Sequence, residues 1–124
     1  MYEVHSHRSQ DMSLTLLLRC RDVEETREFY HAVLGFHTMA SAESTLTVEK
    51  EGGKLIFTTQ DLWTAGPGFS GTIYFSVADV EGFWNDVKDS TPIAWPIQDM
   101  PYGGAREFGV RDCNGYFLAF RQSE

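Results

Sequence analysis

The stretch from Leu14 to Phe36, Leu-Thr-Leu-Leu-Leu-Arg-Cys-Arg-Asp-Val-Glu-Glu-Thr-Arg-Glu-Phe-Tyr-His-Ala-Val-Leu-Gly-Phe, carries a local grammar that returns later in the chain. It reads as strand, tight turn and helix. Leu14 to Cys20 is a short apolar run. Asp22 with Glu25 three residues on fits a capping box, in which two carboxylates close the first-turn donors of a helix. Val23, Phe29, Tyr30, Val33 and Leu34 recur near helical spacing, and Gly35 supplies a left-handed stop. A shift of 57 positions brings Asp22 onto Asp79. There Gly71 to Val77 reads as a second strand, Asp79 as a second N-cap, and Val80, Phe83, Trp84 and Val87 as a second apolar stripe. Two copies of that length fill nearly the whole chain, so the sequence reads as an internal duplication.

A chain of 124 residues holds one ordinary domain and is too short for two, so the copies are expected to share one core. Apolar residues make up 42% and charged residues 23%, the balance of a soluble globular protein. The longest apolar runs fall well short of the roughly 20 residues that span a bilayer. The first ten residues, Met-Tyr-Glu-Val-His-Ser-His-Arg-Ser-Gln, lack the apolar core of a signal peptide, which makes the cytoplasm the expected compartment. Cys20 and Cys113 are too few for a disulfide framework. A net charge of −8 argues against nucleic acid, whose own charge has the same sign, and suits a cationic ligand.

Residues 1–12 are polar and without periodicity, and read as a loose arm; His5 and His7 within it form a possible chelating pair. The first strand, about Leu14 to Arg19, alternates faces. Leu16, Leu18 and Cys20 form the greasier side, to be covered by the helix Val23 to Leu34. Thr15, Leu17 and Arg19 are left facing whatever the sheet encloses. Strands are predicted over Phe36 to Ala40, Ser44 to Glu49 and Lys54 to Thr59, with Glu51-Gly52-Gly53 as a hairpin turn. Asp61 to Ser70, with Gly66-Pro67-Gly68, reads as the linker, where Trp63 is placed to swing over a pocket. The second copy supplies a strand Thr72 to Val77 and a helix Val80 to Asp89. A strand near Ile93 to Ile97, a loop at 101–104 and closing strands Arg106 to Arg111 and Tyr116 to Arg121 follow. The fold class is α+β: two tandem βαβββ modules, 13–60 and 71–122, whose mixed sheets curl around a cleft with the helices outside.

The duplicated grammar carries a family resemblance, together with Phe29-Tyr30 followed by Leu34-Gly35-Phe36, the Val77-x-Asp79-Val80 turn and the ending Pro101-Tyr102-Gly103-Gly104-x-Arg106-Glu107-Phe108-x-Val110-x-Asp112-x-Asn114-Gly115. The chain resembles the vicinal oxygen chelate superfamily, and within it the glyoxalase/bleomycin-resistance group, over about Ser13 to Gln122. The Arg-Glu-Phe ending is most similar to the antibiotic-binding members. One such scaffold carries many chemistries. Enzymes of that superfamily hold a divalent metal with His, Gln or Glu from matching strands of the two copies. The resemblance implies ligands seven residues before each helix-capping Asp, where this chain has Thr15 and Thr72. It implies further ligands four after the turn glycine Gly115, at Ala119, and at a first-copy counterpart near Phe57. Two hydroxyls, a methyl and a phenyl lack the charge and lone pairs that a hard cation needs. The expectation is a cleft with no metal and no cofactor. His31 and His37 are expected outside it.

Strand alternation turns Thr15, Leu17 and Arg19 toward the cleft from the first copy, and Thr72, Tyr74 and Ser76 from the second. Phe117, Ala119 and Arg121 join them from the closing strand, with Phe57. With Trp63, Trp95 and Tyr102 in neighbouring segments, the result is an aromatic-lined pocket suited to planar molecules. The bland alternative is that Phe57, Tyr74 and Phe117 pack the interior as core; Trp84, on its helical stripe, reads as core. Arg19 on a cleft face is expected to meet a carboxylate such as Glu49 or Glu107, or else an anionic ligand. No nucleophile stands beside an oriented base, and Gly52-Gly53 and Gly103-Gly104 read as turns rather than phosphate loops. The function expected is a metal-independent binding protein, a homodimer or a monomer with the two copies paired internally, that sequesters an aromatic and cationic compound of the bleomycin kind. The alternatives are a glyoxalase- or dioxygenase-like lyase using unusual ligands such as Glu49 or Glu107, and a scaffold whose cleft is filled.

Overall fold

The structure, a computed structural model, describes residues 14–42, 44–63, 69–101 and 104–123. The N-terminal arm with His5 and His7, the Gly66-Pro67-Gly68 part of the linker, and Tyr102 lie outside the described residues. In the first module β1 (Leu16–Arg19) leads into α1 (Val23–Glu28), then β2 (His37–Ala42), β3 (Thr45–Lys50) and β4 (Gly53–Thr58). In the second, β5 (Thr72–Val77) leads into α2 (Val80–Val87), then β6 (Ile93–Asp99), β7 (Arg106–Arg111) and β8 (Phe117–Gln122). Each module makes a four-stranded mixed sheet, ordered β1-β4-β3-β2 in the first and β5-β8-β7-β6 in the second. In both, the first strand runs parallel to the last and the remaining pairs are antiparallel. The βαβββ duplication expected from the sequence is therefore the architecture. No helix among the described residues is long and apolar enough to cross a membrane.

Local chemistry explains the elements. Asp22 caps α1 by accepting from the Glu25 amide at 2.8 Å, and Asp79 caps α2 by accepting from the Gly82 amide at 3.0 Å. The other half of the expected capping box does not form: Glu25 turns to the Arg21 guanidinium, as close as 2.8 Å. After Glu28 the helix widens into π-helical turns over Phe29–Val33, and the Leu34 amide donates to the Phe29 carbonyl five residues back. This puts Tyr30, Leu34 and Phe36 fully inside. Gly35 then takes the left-handed conformation (φ 77°) that ends the helix. The β3–β4 turn has two central residues, Glu51 and Gly52, both with positive φ, as a type I′ hairpin requires.

The modules repeat one another down to single hydrogen bonds. The Arg21 amide donates to Asn114 Oδ1 at 3.0 Å, and the Ala78 amide, 57 positions on, donates to Glu51 Oε1 at 3.4 Å. Each closing hairpin thus latches onto the residue before the other module's helix cap. The helix-facing sides of both sheets merge into one core, with Phe36 on Phe75, Phe57 near Tyr116, and Phe75 stacked on Phe120. Trp84 packs against Phe108 in this core, as its stripe predicts. Among the described residues, the opposite side of each sheet carries no helix.

A polar joint ties the halves together inside that core. Tyr30 donates its buried hydroxyl to Asp112 Oδ2 at 2.6 Å, while Asp112 Oδ1 accepts from the Tyr116 and Asn114 amides at 2.7 and 2.9 Å. Burial raises the Asp112 carboxyl above the ordinary carboxylate value, and these donors only partly oppose the shift. The folded state therefore holds the Asp112 proton more tightly than the unfolded state does. The contribution of this group to stability falls as pH rises through that window, then levels off. In urea unfolding between about pH 3 and 7, the protein is expected to lose stability relative to Asp112→Asn as pH increases. A difference that stays flat, or grows the other way, contradicts it.

Candidate ligand-binding face

The helix-free sides of the sheets are built by strand alternation. On the first sheet one row runs Leu17, Ile56, Thr47 and Met39, and the next runs Arg19, Thr58 and Thr45. On the second sheet the matching rows are Tyr74, Ala119, Gly109 and Trp95, then Ser76, Arg121, Glu107 and Gln98, with Thr72, Phe117 and Arg111 on the far side. Tyr74 is 49% and Phe117 36% exposed, so both rings meet solvent.

The second face has a small-residue floor. Ala119 and Gly109 carry almost no side chain, and Trp95 lies over Gly109 so closely that a Cβ there would stand 2.4 Å from the indole. The indole is fixed by its own donor: Trp95 Nε1 donates to Glu107 Oε2 at 3.2 Å. Glu107 is wholly buried, and its other oxygen, Oε1, lies 3.7 Å from Arg121 Nη1. Among the described residues that oxygen has no hydrogen-bond partner. Tyr74 and Trp95 stand at the two ends of this row, on either side of Ala119, which is itself fully buried. Leu17 and Ile56 occupy the equivalent places in the first sheet and fill them with branched chains.

The structure separates the predicted residues. Leu17, Arg19, Thr72, Tyr74, Trp95, Glu107, Phe117 and Ala119 share the helix-free sides, and Thr15 is exposed just before β1. Phe57 does not join them. It pairs with Leu18 and Leu46 on the helix side, is fully buried, and packs its ring 5.1 Å from Tyr30. Its neighbour Ile56, opposite Leu17 as Ala119 is opposite Tyr74, is the true first-copy counterpart of Ala119. Arg19 meets Asp61 at 3.5 Å rather than Glu49 or Glu107, and Trp63, two residues beyond Asp61, is exposed. His37 is exposed and cross-strand from Glu49, on the helix-free side of the first sheet and away from the Tyr74–Trp95 row, while His31 sits on the helix with Nδ1 3.1 Å from the Phe36 carbonyl. Sequence reasoning named Glu107 and Arg121 without joining them.

Thr15, Thr72, Ala119 and Ile56 are poor ligands for a divalent cation, whose site needs charged or imidazole donors. Among the described residues no three His, Cys, Asp or Glu side chains converge to hold a metal ion. The donor set does not fit the metal site of the related enzymes. The thiols fit nucleophilic chemistry no better: burial, with Asp112 nearby, pushes the Cys113 thiol up to about 11, so it stays protonated at neutral pH. A separate groove of about 610 Å³ lies at the β3–β4 turn, lined by Thr15, His37, Glu49, Lys50, Glu51 and Lys54 among others. It is charged and holds no Phe, Tyr or Trp, so the face of the second sheet with Tyr74 and Trp95 is the stronger candidate for a planar aromatic ligand.

Comparison with known proteins follows the architecture. TnmS3, an antibiotic binding protein from Streptomyces sp. CB03234, superposes with a TM-score of 0.74 at 17% identity, over 92% of this chain and 97% of that one. TioX from Micromonospora sp. ML1 gives 0.73 at 20% identity over 90% and 98%. Lactoylglutathione lyase from Agrobacterium tumefaciens gives 0.70 at 15% identity over 91% and 95%. At these identities the likeness is one of fold. No curated protein matches the sequence. The family model of the Glyoxalase/Bleomycin resistance protein/Dioxygenase superfamily matches residues 13–120, nearly the whole chain, and the protein belongs to that superfamily.

Proposed function

We propose that the chain is a metal-independent small-molecule binding protein of the bleomycin-resistance type, which sequesters a planar aromatic compound on the helix-free side of the second sheet. The observation that carries this is the row Tyr74, Ala119, Gly109, Trp95: two aromatic side chains on one face, with the smallest residues buried between them and Trp95 held by Glu107. A fixed indole and a solvent-facing phenol offer stacking area at low entropic cost. The fold likeness to an antibiotic binding protein agrees with this reading. The expectation of a cationic ligand rests on the net charge alone, whereas the face itself presents Arg111 and Arg121 above a buried Glu107. Assembly as a cytoplasmic homodimer belongs to the same proposal and is supported by the exposed Leu17 and Met39 on the first sheet.

An enzymatic reading has less to stand on. Glu107 is engaged by Trp95 and Arg121, and among the described residues Glu49 has no two further donors with which to hold a metal. Titration of planar aromatic compounds, followed by tryptophan emission, tests the proposal. Binding is expected to quench or shift the emission, and Tyr74→Ala to weaken it about tenfold, the loss of one stacked ring and its area. Unchanged emission with every planar compound, or full affinity in the variant, overturns it.

A further inference from the structure

Charged side chains flank the Tyr74–Trp95 row on both sides along the strands, and they are not alike. Glu107 is 0% exposed on the side that carries no helix, where a carboxylate is costly unless its oxygens are paired. Oε2 has the indole donor, but among the described residues Oε1 has only the Coulombic contact with Arg121 at 3.7 Å, too long for a hydrogen bond. Arg121 is 32% exposed, so its guanidinium reaches solvent at the edge of the Ala119 floor. A guanidinium carries five N–H donors in a planar fork. One long ion pair leaves that fork uncommitted among the described residues. Glu107 anchors Arg121 electrostatically without using up its donors, and through Trp95 it fixes the neighbouring platform as well.

At the other end of the floor stands Arg111, opposite Phe117, with its guanidinium 5.4 Å from that ring. The rows of Arg121 and Arg111 are four residues apart along the strands, about 14 Å at strand rise. The Ala119 floor lies midway. Two arginines against one carboxylate make this face locally positive in a chain of net charge −8. Acidic excess elsewhere sets the far field, but contacts at the floor decide which group on a bound ring is favoured.

Building on the aromatic-platform reading above, we infer that the ligand carries an anionic or strongly accepting oxygen, a carboxylate or phenolate, on the ring edge that meets Arg121. The guanidinium is the recognition group, and Glu107 is a positioning residue that holds both Arg121 and Trp95. A carboxylate matches the fork with two parallel, charge-assisted hydrogen bonds, which an ammonium cannot form and a neutral amide forms only in part.

The test compares three naphthalenes that differ in one group: naphthalene-2-carboxylate, naphthalene-2-carboxamide and 2-naphthylmethylammonium. Affinities are read by calorimetry, and the position by the Trp95 indole N–H resonance, assigned through Trp95→Phe. The carboxylate is expected to bind at least about tenfold more tightly than the amide and the ammonium to bind weakest, with the Trp95 resonance shifting on binding. Arg121→Lys keeps a positive charge beside Glu107 but loses the fork, and the carboxylate-to-amide ratio is expected to fall to about threefold or less. Because an unpaired buried Glu107 threatens folding, the double variant Glu107→Gln with Arg121→Gln supplies the uncharged comparison, in which the ratio is expected to approach one. Equal affinities across the series, a preference for the ammonium, or a ratio that survives in both variants overturns the inference while leaving the aromatic platform standing. Binding by none of the three removes the platform itself, and the inference with it.

Discussion

Gly109→Ala is expected to unseat Trp95 and to remove both stability and ligand binding through one methyl group. The added Cβ would lie 2.4 to 2.6 Å from three atoms of the indole, and no real side chain tolerates that approach. Strand backbone at Gly109 does not need the left-handed region, so the effect is one of space alone. Overpacking costs about 1–3 kcal/mol. Displacing the ring also breaks the bond from Trp95 Nε1 to the buried Glu107 carboxylate, worth about 1.5–3 kcal/mol for a charged acceptor. Together the loss is about 3 kcal/mol or more, a large share of the 5–15 kcal/mol that holds a typical domain. The urea midpoint should drop accordingly and the Trp95 indole N–H resonance should move. Adding Trp95→Leu to Gly109→Ala should recover part of the stability, since the clash disappears, and none of the binding. An unmoved resonance with unchanged stability would mean that the indole does not rest on Gly109.

Neighbouring residues on β4 should behave as opposites. Phe57→Ala is expected to cost about 3–5 kcal/mol, the loss of a phenyl ring from a close-packed interior. The ring is fully buried against Tyr30 and near Tyr116, at the junction of the two modules. Ile56→Ala, one residue earlier and half-exposed on the helix-free side, should cost about 1–2 kcal/mol, in proportion to the smaller area withdrawn from water. Chemical denaturation of the two variants reads the difference directly. Equal losses, or a greater one at Ile56, would reverse the assignment of the two sides of the sheet.

That assignment shows where sequence and structure part. Alternation along single strands was legible: Leu16, Leu18 and Cys20 turn inward and Leu17 and Arg19 outward, because a two-residue period has only two solutions once one side is greasier. The helix caps and the Gly35 stop were equally readable, since each depends on one residue type at one place. Phe57 differs from the true counterpart, Ile56, by one residue, because the spacing between the copies changes along the chain. The copies are 57 apart at the first strand, as Leu17 and Tyr74 show, but 63 apart at the last, where Ile56 matches Ala119. In a strand, a miscount of one residue exchanges the two sides.

The pairing of Glu107 with Arg121 was present in the sequence and overlooked: each stands seven residues from Asn114, in the turn of one hairpin, which makes them cross-strand neighbours. The lean of Trp95 onto Gly109 was not present in any readable form. β6 shifts register on both sides of Trp95, and such irregularities follow from packing rather than from local propensity. The π-helical turn after Glu28 likewise has no composition signal of its own.

Those same irregularities decide how the molecule presents its borders to other chains. β6 is an edge strand of the second sheet, and within the second of its two slips in register it carries Pro96, which has no amide hydrogen to offer. A stranger's strand laid along that margin would find the ladder out of step and one rung missing. Growth of the sheet from molecule to molecule, the first stage of fibre formation, is thereby hindered on the flank that carries Trp95.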